Sequence, residues 1–240
     1  MTGAAQGIGL AIATRLVEGG AKVVMTDVNE DGVKAAAEKL GQIGEACDVT
    51  DGPAVEASLN GAAEALGGLD VVINNAGIEI GKPLHEHETD EVRLVLDINV
   101  VGVFHGIKYA VPHLSQTKGV IINMASVAGL GGAPLLGAYC ASKGAVIRMT
   151  QVAAIELAAA GIRVIPVCPA FADTPMVDRL IPGFEAVAGL PFGELAKMKQ
   201  SRLGTPEDIA EAVAYLSSDE SSWTNGSPFV LDGGLTGSML

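Results

Sequence analysis

The chain has 240 residues, of which 49% are hydrophobic and 18% charged, enough for one α/β domain with a sizeable core and too apolar for a disordered chain. Its formal net charge of −13 repels phosphate backbones and argues against nucleic acid as a partner. Cys47, Cys140 and Cys168 are too few and too widely spaced for a disulfide framework or a CxxC site. The chain shows neither an uninterrupted apolar run of membrane-spanning length nor a basic-then-apolar leader, so the expectation is a cytoplasmic protein without a membrane span.

The chain opens in a glycine-rich turn, Thr2-Gly3-Ala4-Ala5-Gln6-Gly7-Ile8-Gly9, that runs into a predicted helix over Gly7 to Glu18. Glycines let a backbone turn tightly and approach a pyrophosphate, and the helix aims free N–H groups and its positive end at the anion. A structural glycine turn is the alternative. A predicted strand over Lys22 to Thr26 ends at Asp27, 18 residues after Gly9. That is close to the ~20 residues expected for an acid that binds adenosine ribose hydroxyls. A carboxylate there repels a 2′-phosphate, and no cation stands at Ala4, Ala5, Gln6 or Val28, so NAD is expected over NADP. Alternatively, Asp27 caps the next turn with Asn29 and Asp31.

A helix over Asp31 to Leu40, a strand over Ile43 to Cys47 and a helix over Pro53 to Leu66 follow. The strand Asp70 to Ile73 then delivers Asn74-Asn75-Ala76-Gly77 at its carboxyl end, small and amide residues that suit the floor of a cofactor crevice or, equally, a turn. His85-Glu86-His87 reads as a solvated polar turn, because histidines two apart on a helix share no face and no third ligand is near in sequence; no metal site is expected. The pattern predicts a long helix over Glu88 to Leu114 and a strand over Val120 to Asn123, followed by Ser126, placed to donate a hydrogen bond to a carbonyl oxygen.

The predicted helix Ala138 to Ala159 carries Tyr139 and Lys143 four residues apart, hence on one face. The ammonium should favour the phenolate and lower a tyrosine pKa that starts near ~10. That would make Tyr139 an acid/base at neutral pH, against the plainer reading of a solvated helix face. A strand over Arg163 to Val167 precedes Ala170 to Arg202, a stretch with Pro175, Pro182 and Pro191 that reads as a long functional lid. A helix over Pro206 to Ser217 and a strand over Pro228 to Leu231 complete the alternation.

Strands alternating with helices imply an α/β fold, a single doubly wound domain over residues 1–240 with a parallel sheet. No strand precedes the first glycine turn, although such a strand normally lies at the sheet centre. The expectation is that about one strand's length of upstream residues belongs to the fold.

The glycine pattern Gly3-x3-Gly7-x-Gly9, the Asn74-Asn75-Ala76-Gly77 turn, Ser126 and Tyr139-x3-Lys143 come in the order and at the separations of the short-chain dehydrogenase/reductase family, classical type. The chain resembles that family from Thr2 to nearly its C-terminus. The resemblance implies a Rossmann-type domain. It also implies a catalytic set of Asn99, Ser126, Tyr139 and Lys143: Asn99 holds a water in a proton relay, Ser126 orients the substrate oxygen, Tyr139 is the acid/base, and Lys143 binds the nicotinamide ribose. By the same resemblance Asp48 and Val49 contact the adenine, and Pro169 to Thr174 face the nicotinamide with Thr174 near its carboxamide. With Gly3, Gln6, Gly7, Ile8, Gly9, Asp27, Asn75, Ala76 and Gly77 these form the expected cofactor site. Asp232-Gly233-Gly234 matches a common C-terminal turn, while Ala170 stands where the family usually has glycine.

The implied activity is hydride transfer between NAD(H) and a small-molecule secondary alcohol or ketone. Ile78 to Lys82, Val127 to Leu136 and the lid are expected to line the substrate pocket. Leu130, Pro134, Leu135, Leu136, Phe171, Met176, Leu180, Phe184 and Leu190 make that lining apolar, which suits an alicyclic or steroid-like substrate. A 3-oxoacyl-thioester reductase and, in another class, a non-catalytic nucleotide-binding or assembly protein are the alternatives. The family resemblance further implies a homo-oligomer, a tetramer or dimer, with the two long helices at an interface.

Overall fold

In a computed structural model, which describes residues 1–237, the apolar runs become six strands: Val24–Asp27 (β1), Ile43–Ala46 (β2), Val71–Asn74 (β3), Val120–Met124 (β4), Arg163–Pro169 (β5) and Phe229–Leu231 (β6). All pair in parallel, in the orders β2-β1 and β3-β4-β5-β6. The register sets Val72, Ile121 and Val164 side by side, with Ile73, Ile122 and Ile165 one residue further on. Because side chains alternate faces along a strand, these two rows point to opposite sides of the sheet.

The helices that cover each face follow from this. Ile73, Ile122 and Ile165 pack with Ile12 of Gly7–Glu18 (α1) and with Ile209, Val213 and Leu216 of Pro206–Ser217 (α9). Val72, Ile121 and Val164 pack with Ala62 of Gly52–Leu66 (α3), with Ala110 and Leu114 of Gly102–Thr117, and with Ala153 and Ala154 of Gly137–Glu156. Glu30–Leu40 (α2) joins the α1 face through Val33 and Ala37, against Met25 and Ala13. Several ends are capped as the sequence allows: Asn29 accepts from Gly32 N at 3.1 Å, and Thr205 and Asp208 form a capping box on α9.

The helix expected over Glu88 to Leu114 is continuous from Thr89 to Thr117 but not uniform. Thr89–Leu96 (α4) widens into a π turn at Asp97–Val101 before Gly102–Thr117 (α5). The 29-residue run is long and apolar enough to cross a membrane; here its Ala110 and Leu114 are buried against the sheet. After β4 comes Gly137–Glu156 (α6), then β5.

Two expectations change. Ala170 to Arg202 is not irregular: it folds as Pro175–Ala188 (α7) and Phe192–Gln200 (α8). Its prolines lie where helices tolerate them, Pro175 in the first turn behind a Thr174 cap and Pro191 at the cap of α8, while Pro182 is accommodated inside α7. His87 is not solvated. Its side chain is buried, with both ring nitrogens lacking a hydrogen-bond partner and Nδ1 3.8 Å from Glu91.

The central position between β1 and β3 is held by Met1 and Thr2. Thr26 N–H donates to Met1 O at 2.8 Å, Thr2 N–H to Ile73 O at 3.1 Å, and Ala4 N–H to Thr26 O at 3.1 Å. These bonds join the two groups of strands at their carboxyl ends. Below them a cavity of about 30 Å³ lies between Met1, Val24, Ser58, Ala62 and Val72.

Candidate active site

At the carboxyl ends of the strands lies a cleft of about 1080 Å³, the place where open parallel sheets bind ligands. The glycine turn forms one end of it. Gly3 and Gly7 both take left-handed backbone conformations. A Cβ on Gly9 would meet Gly3 O at 2.0 Å and Asn75 Nδ2 at 2.6 Å, so helix α1 can start this close to the turn only with glycine there. Asn75 Nδ2 donates to Thr2 O and Gly3 O, and Thr2 Oγ1 accepts from the N–H groups of Asn75 and Ala76. Asn75 therefore clamps the glycine turn to the end of β3.

Among the described residues no side chain caps α1, and Gln6, Gly7, Ile8 and Gly9 line the cleft, so the helix offers its N–H donors and positive end there. Asp27 lines the same end. Its Oδ2 accepts from Ala5 N and its Oδ1 from Asn29 N, so it both fixes the glycine turn and caps the next one. A carboxylate has about four acceptor sites, so each oxygen keeps capacity for a ribose hydroxyl. Asp48, whose Oδ1 accepts from Thr50, and Val49 line the wall beyond it, and Ala76, Gly77, Pro169 and Thr174 continue the surface towards β4. A helix terminus without an N-cap side chain and a carboxylate on the same wall of the cleft fit a nicotinamide dinucleotide.

The other end holds the titratable groups. Ser126 follows β4, accepts from Ala128 N at 3.1 Å and donates to Pro169 O at 3.3 Å. Tyr139 and Lys143 both line the cleft from α6, and Lys143 Nζ is 5.5 Å from the centre of the Tyr139 ring. Lys143 is buried and donates to Met124 O at 2.7 Å. Burial pushes its ammonium down to about 8. The expected lowering of the tyrosine is not what the surroundings produce. Burial pushes Tyr139 up to about 12, helped by the Glu79 charge and opposed by its hydrogen bond with Ser126. Desolvation dominates because Tyr139 packs against the apolar cluster of Leu136, Val177, Leu180, Phe184 and Phe192.

Asn99 sits in the π turn, fully buried. Its Oδ1 accepts from Ile78 N at 2.8 Å, while Nδ2 donates to Ile78 O at 2.9 Å and Ser142 Oγ at 3.0 Å. The side chain thus holds the loop after Gly77 against α6. A Cβ on Gly77 would lie 3.2 Å from Asn99 Oδ1 and 3.5 Å from Lys143 Nζ, which places these three residues together.

The remaining wall is mostly apolar, with Lys199 and Gln200 of α8 among its polar residues. Phe171, Phe184 and Phe192 pack edge to face or tilted with ring centres 5.3 to 6.0 Å apart, and Leu136, Val177 and Leu180 join them beside Tyr139. Leu130, Pro134 and Met176 line the cleft as expected, whereas Leu135, Leu190 and Ile80 to Lys82 do not. Lys82 is instead paired with Glu91 at 2.6 Å. Leu94, Ile98, Leu235 and Thr236 also line it, far in sequence from any motif. Sequence reading missed a pair across the mouth: Arg179 of α7 donates through Nε and Nη2 to the two oxygens of Glu79, each at 3.2 Å. An acid two residues after Gly77 and an arginine in the stretch Ala170 to Arg202 were the signals available. Among the described residues no group of three or more His, Cys, Asp or Glu could hold a metal.

Comparison with known proteins agrees with this geometry. A family model described as enoyl-(acyl carrier protein) reductase matches residues 3–236. The meso-2,3-butanediol dehydrogenase of Serratia marcescens is 38% identical over 99% of this chain and 94% of its own length. The cis-4-hydroxycyclohexanecarboxylate dehydrogenase of Sinomonas cyclohexanicum is 41% identical over 98% of this chain and 95% of its own. Among solved structures, that of levodione reductase superposes with a TM-score of 0.93 at 31% identity, covering 99% of this chain and 96% of that one.

Proposed function

The chain belongs to the short-chain dehydrogenase/reductase family, and on that premise we propose that it interconverts a largely apolar secondary alcohol, alicyclic or steroid-like, and its ketone, with NAD(H) preferred over NADP(H). It is an oxidoreductase of CH–OH groups that works with a nicotinamide cofactor. The observation that carries the reading is the meeting of Ser126, Tyr139 and Lys143 in one cleft with the uncapped end of α1.

Gly3, Gln6, Gly7, Ile8 and Gly9 would hold the pyrophosphate, Asp27 the adenosine ribose, Asp48 and Val49 the adenine. Asn75, Ala76, Gly77, Pro169, Thr174 and Lys143 would hold the nicotinamide half. When bound, the nicotinamide supplies the hydride acceptor or donor. In oxidation Ser126 Oγ donates a hydrogen bond to the carbinol oxygen and fixes its position. Tyr139, as phenolate, takes the hydroxyl proton while the carbinol hydrogen departs as hydride, so the alcohol loses two electrons and two hydrogens. Lys143 lowers the cost of the phenolate by its charge, and the proton returns to solvent by water near Asn99. The aromatic wall of Phe171, Phe184 and Phe192 keeps bulk water from the reacting carbon. In reduction each step reverses.

The preference for NAD rests on Asp27, because a carboxylate facing the ribose repels a 2′-phosphate and none of Ala4, Ala5, Gln6 or Val28 offers a cation. Thermal-shift titration with NAD and NADP in parallel tests it, since a ligand of the native state raises apparent stability. A larger shift with NAD is expected; a larger shift with NADP overturns the Asp27 reading and favours the oxoacyl-thioester reductase. For Tyr139→Phe, turnover of secondary alcohols should fall by about 10² to 10⁴, the usual worth of general acid–base catalysis, with the NAD shift retained. Turnover like that of the unmodified protein would remove Tyr139 from the mechanism.

A further inference from the structure

We infer that Glu79 selects the substrate by accepting a hydrogen bond from a second hydroxyl, so that the alcohol oxidised here is a diol and the ketone reduced is a hydroxyketone. This rests on the alcohol dehydrogenase reading above and adds to it the substrate's second functional group.

Glu79 lines the cleft with its side chain only 4% exposed, on the loop that Asn99 fastens to α6. Leu180 and Phe184, which line the same cleft, are apolar, while Arg179, Lys199 and Gln200 bring polar groups to it. Burial keeps the Tyr139 phenol protonated, and the Glu79 charge adds to that effect. That works against an enzyme that must form a phenolate, so the acid needs a compensating use. Its one hydrogen-bonding partner in the described structure is Arg179, which takes one site on each oxygen and is itself 59% exposed. A carboxylate has about four acceptor sites, so about two remain on a side chain that lines the same cleft as Tyr139 and is shielded from bulk water.

A neutral donor close to the carbinol carbon would fill those sites, and a hydroxyl on a neighbouring carbon is such a donor. A mono-alcohol leaves them desolvated and unpaired, which is the arrangement by which sites reject analogues lacking a hydroxyl. A substrate with a carboxylate in that place would meet Glu79 as a like charge. Arg179 cannot offset this without first giving up its bidentate pair.

The test compares kcat/KM for alcohols matched except for the second hydroxyl: the stereoisomers of 2,3-butanediol against 2-butanol, and of 1,2-cyclohexanediol against cyclohexanol. The unmodified enzyme should prefer the diol by at least about 100-fold in one pair. Glu79→Leu should reduce that ratio by about 10- to 100-fold, the range for losing a hydrogen bond to a charged acceptor. Glu79→Gln, which keeps the shape, should reduce it less but measurably, and serves if the leucine variant does not fold. Arg179→Gln separates selection from simple lid closure, because it removes the pair yet keeps the acceptor, and it should leave the ratio within about threefold. A ratio near one in the unmodified enzyme overturns the inference while leaving the dehydrogenase reading intact. So does a ratio that survives Glu79→Leu, or one that Arg179→Gln abolishes. No turnover of any of these probes or their ketones with either nicotinamide cofactor would sink both readings together.

Discussion

Lys143 and Tyr139 are four residues apart, and that spacing was legible; the depth at which they lie was not. Burial lowers the lysine to about 8 and raises the tyrosine to about 12, so each favours its neutral form in the folded protein. The consequences for stability have opposite signs. Below pH 8 Lys143 is charged in both folded and unfolded chains, and the folded state carries the full cost of burying it. Between pH 8 and 10.5 the unfolded lysine still binds its proton while the folded one sheds it, so this cost is relieved as pH rises. Tyr139 contributes the reverse: its stabilisation is complete below pH 10 and is lost as pH climbs from 10 towards 12. Lys143→Met should therefore abolish most turnover yet unfold at a temperature equal to or above that of the unmodified protein at pH 7. The lysine's penalty is on the order of 3 kcal/mol, reduced by the orphaned Met124 carbonyl. The difference in Tm between the two proteins, followed calorimetrically, should move against the variant from pH 7 to 9.5. A difference that stays constant over this window would show that Lys143 is not buried as a cation.

At the scale of elements, the parallel strands and the helices between them were legible because buried strands read as short apolar runs and covering helices as amphipathic ones. Helices α7 and α8 were not, because Pro175, Pro182 and Pro191 read as breakers when two of them occupy helix starts. The π turn was equally hidden: Asp97-Ile98-Asn99-Val100 has an ordinary helical pattern, and only tertiary contacts reveal that Asn99 turns inward to hold Ile78. Glu79 lay within a stretch expected to line the pocket, but the arginine that clamps it is a hundred residues away in sequence. Glycines show the same limit. Gly61 and Gly106 both sit inside helices, α3 and α5. A Cβ on Gly61 meets open space, whereas one on Gly106 would lie 1.9 Å from Asn74 Oδ1. Asn74 donates to Asn123, which donates to Thr150, a buried chain that ties β3 and β4 to α6. Gly61→Ala is expected to stabilise by up to about 1 kcal/mol. Gly106→Ala should destabilise by at least about 1–3 kcal/mol, the usual cost of overpacking. Urea denaturation measures both, and equal effects would mean that α5 does not approach β3 this closely.

At the scale of the whole molecule, the apolar surface left over must be reconciled with the charge. Val101 and Phe104 on the α4–α5 run and Val152 and Ile155 on α6 are all exposed, on the two long helices that the family resemblance puts at an interface. Large apolar patches are uncommon on proteins that stay monomeric. We propose a cytoplasmic homo-oligomer, dimer or tetramer, in which these helices meet their counterparts around a two-fold axis. Each protomer carries a formal charge of −13, so like charges oppose the association and the apolar faces must drive it. Raising ionic strength screens the repulsion and does not weaken burial. Light scattering should therefore give an oligomeric mass that persists to lower protein concentration in ~0.5 M salt than in ~0.02 M, where the Debye length is several times longer. Phe104→Asp combined with Ile155→Asp should shift the mass to the monomer with the NAD-induced thermal shift retained, because neither residue lines the cleft. A monomeric mass for the unmodified protein at high salt and micromolar concentration would mean that these helices face solvent. An oligomer that the double substitution does not weaken would put the interface on another face.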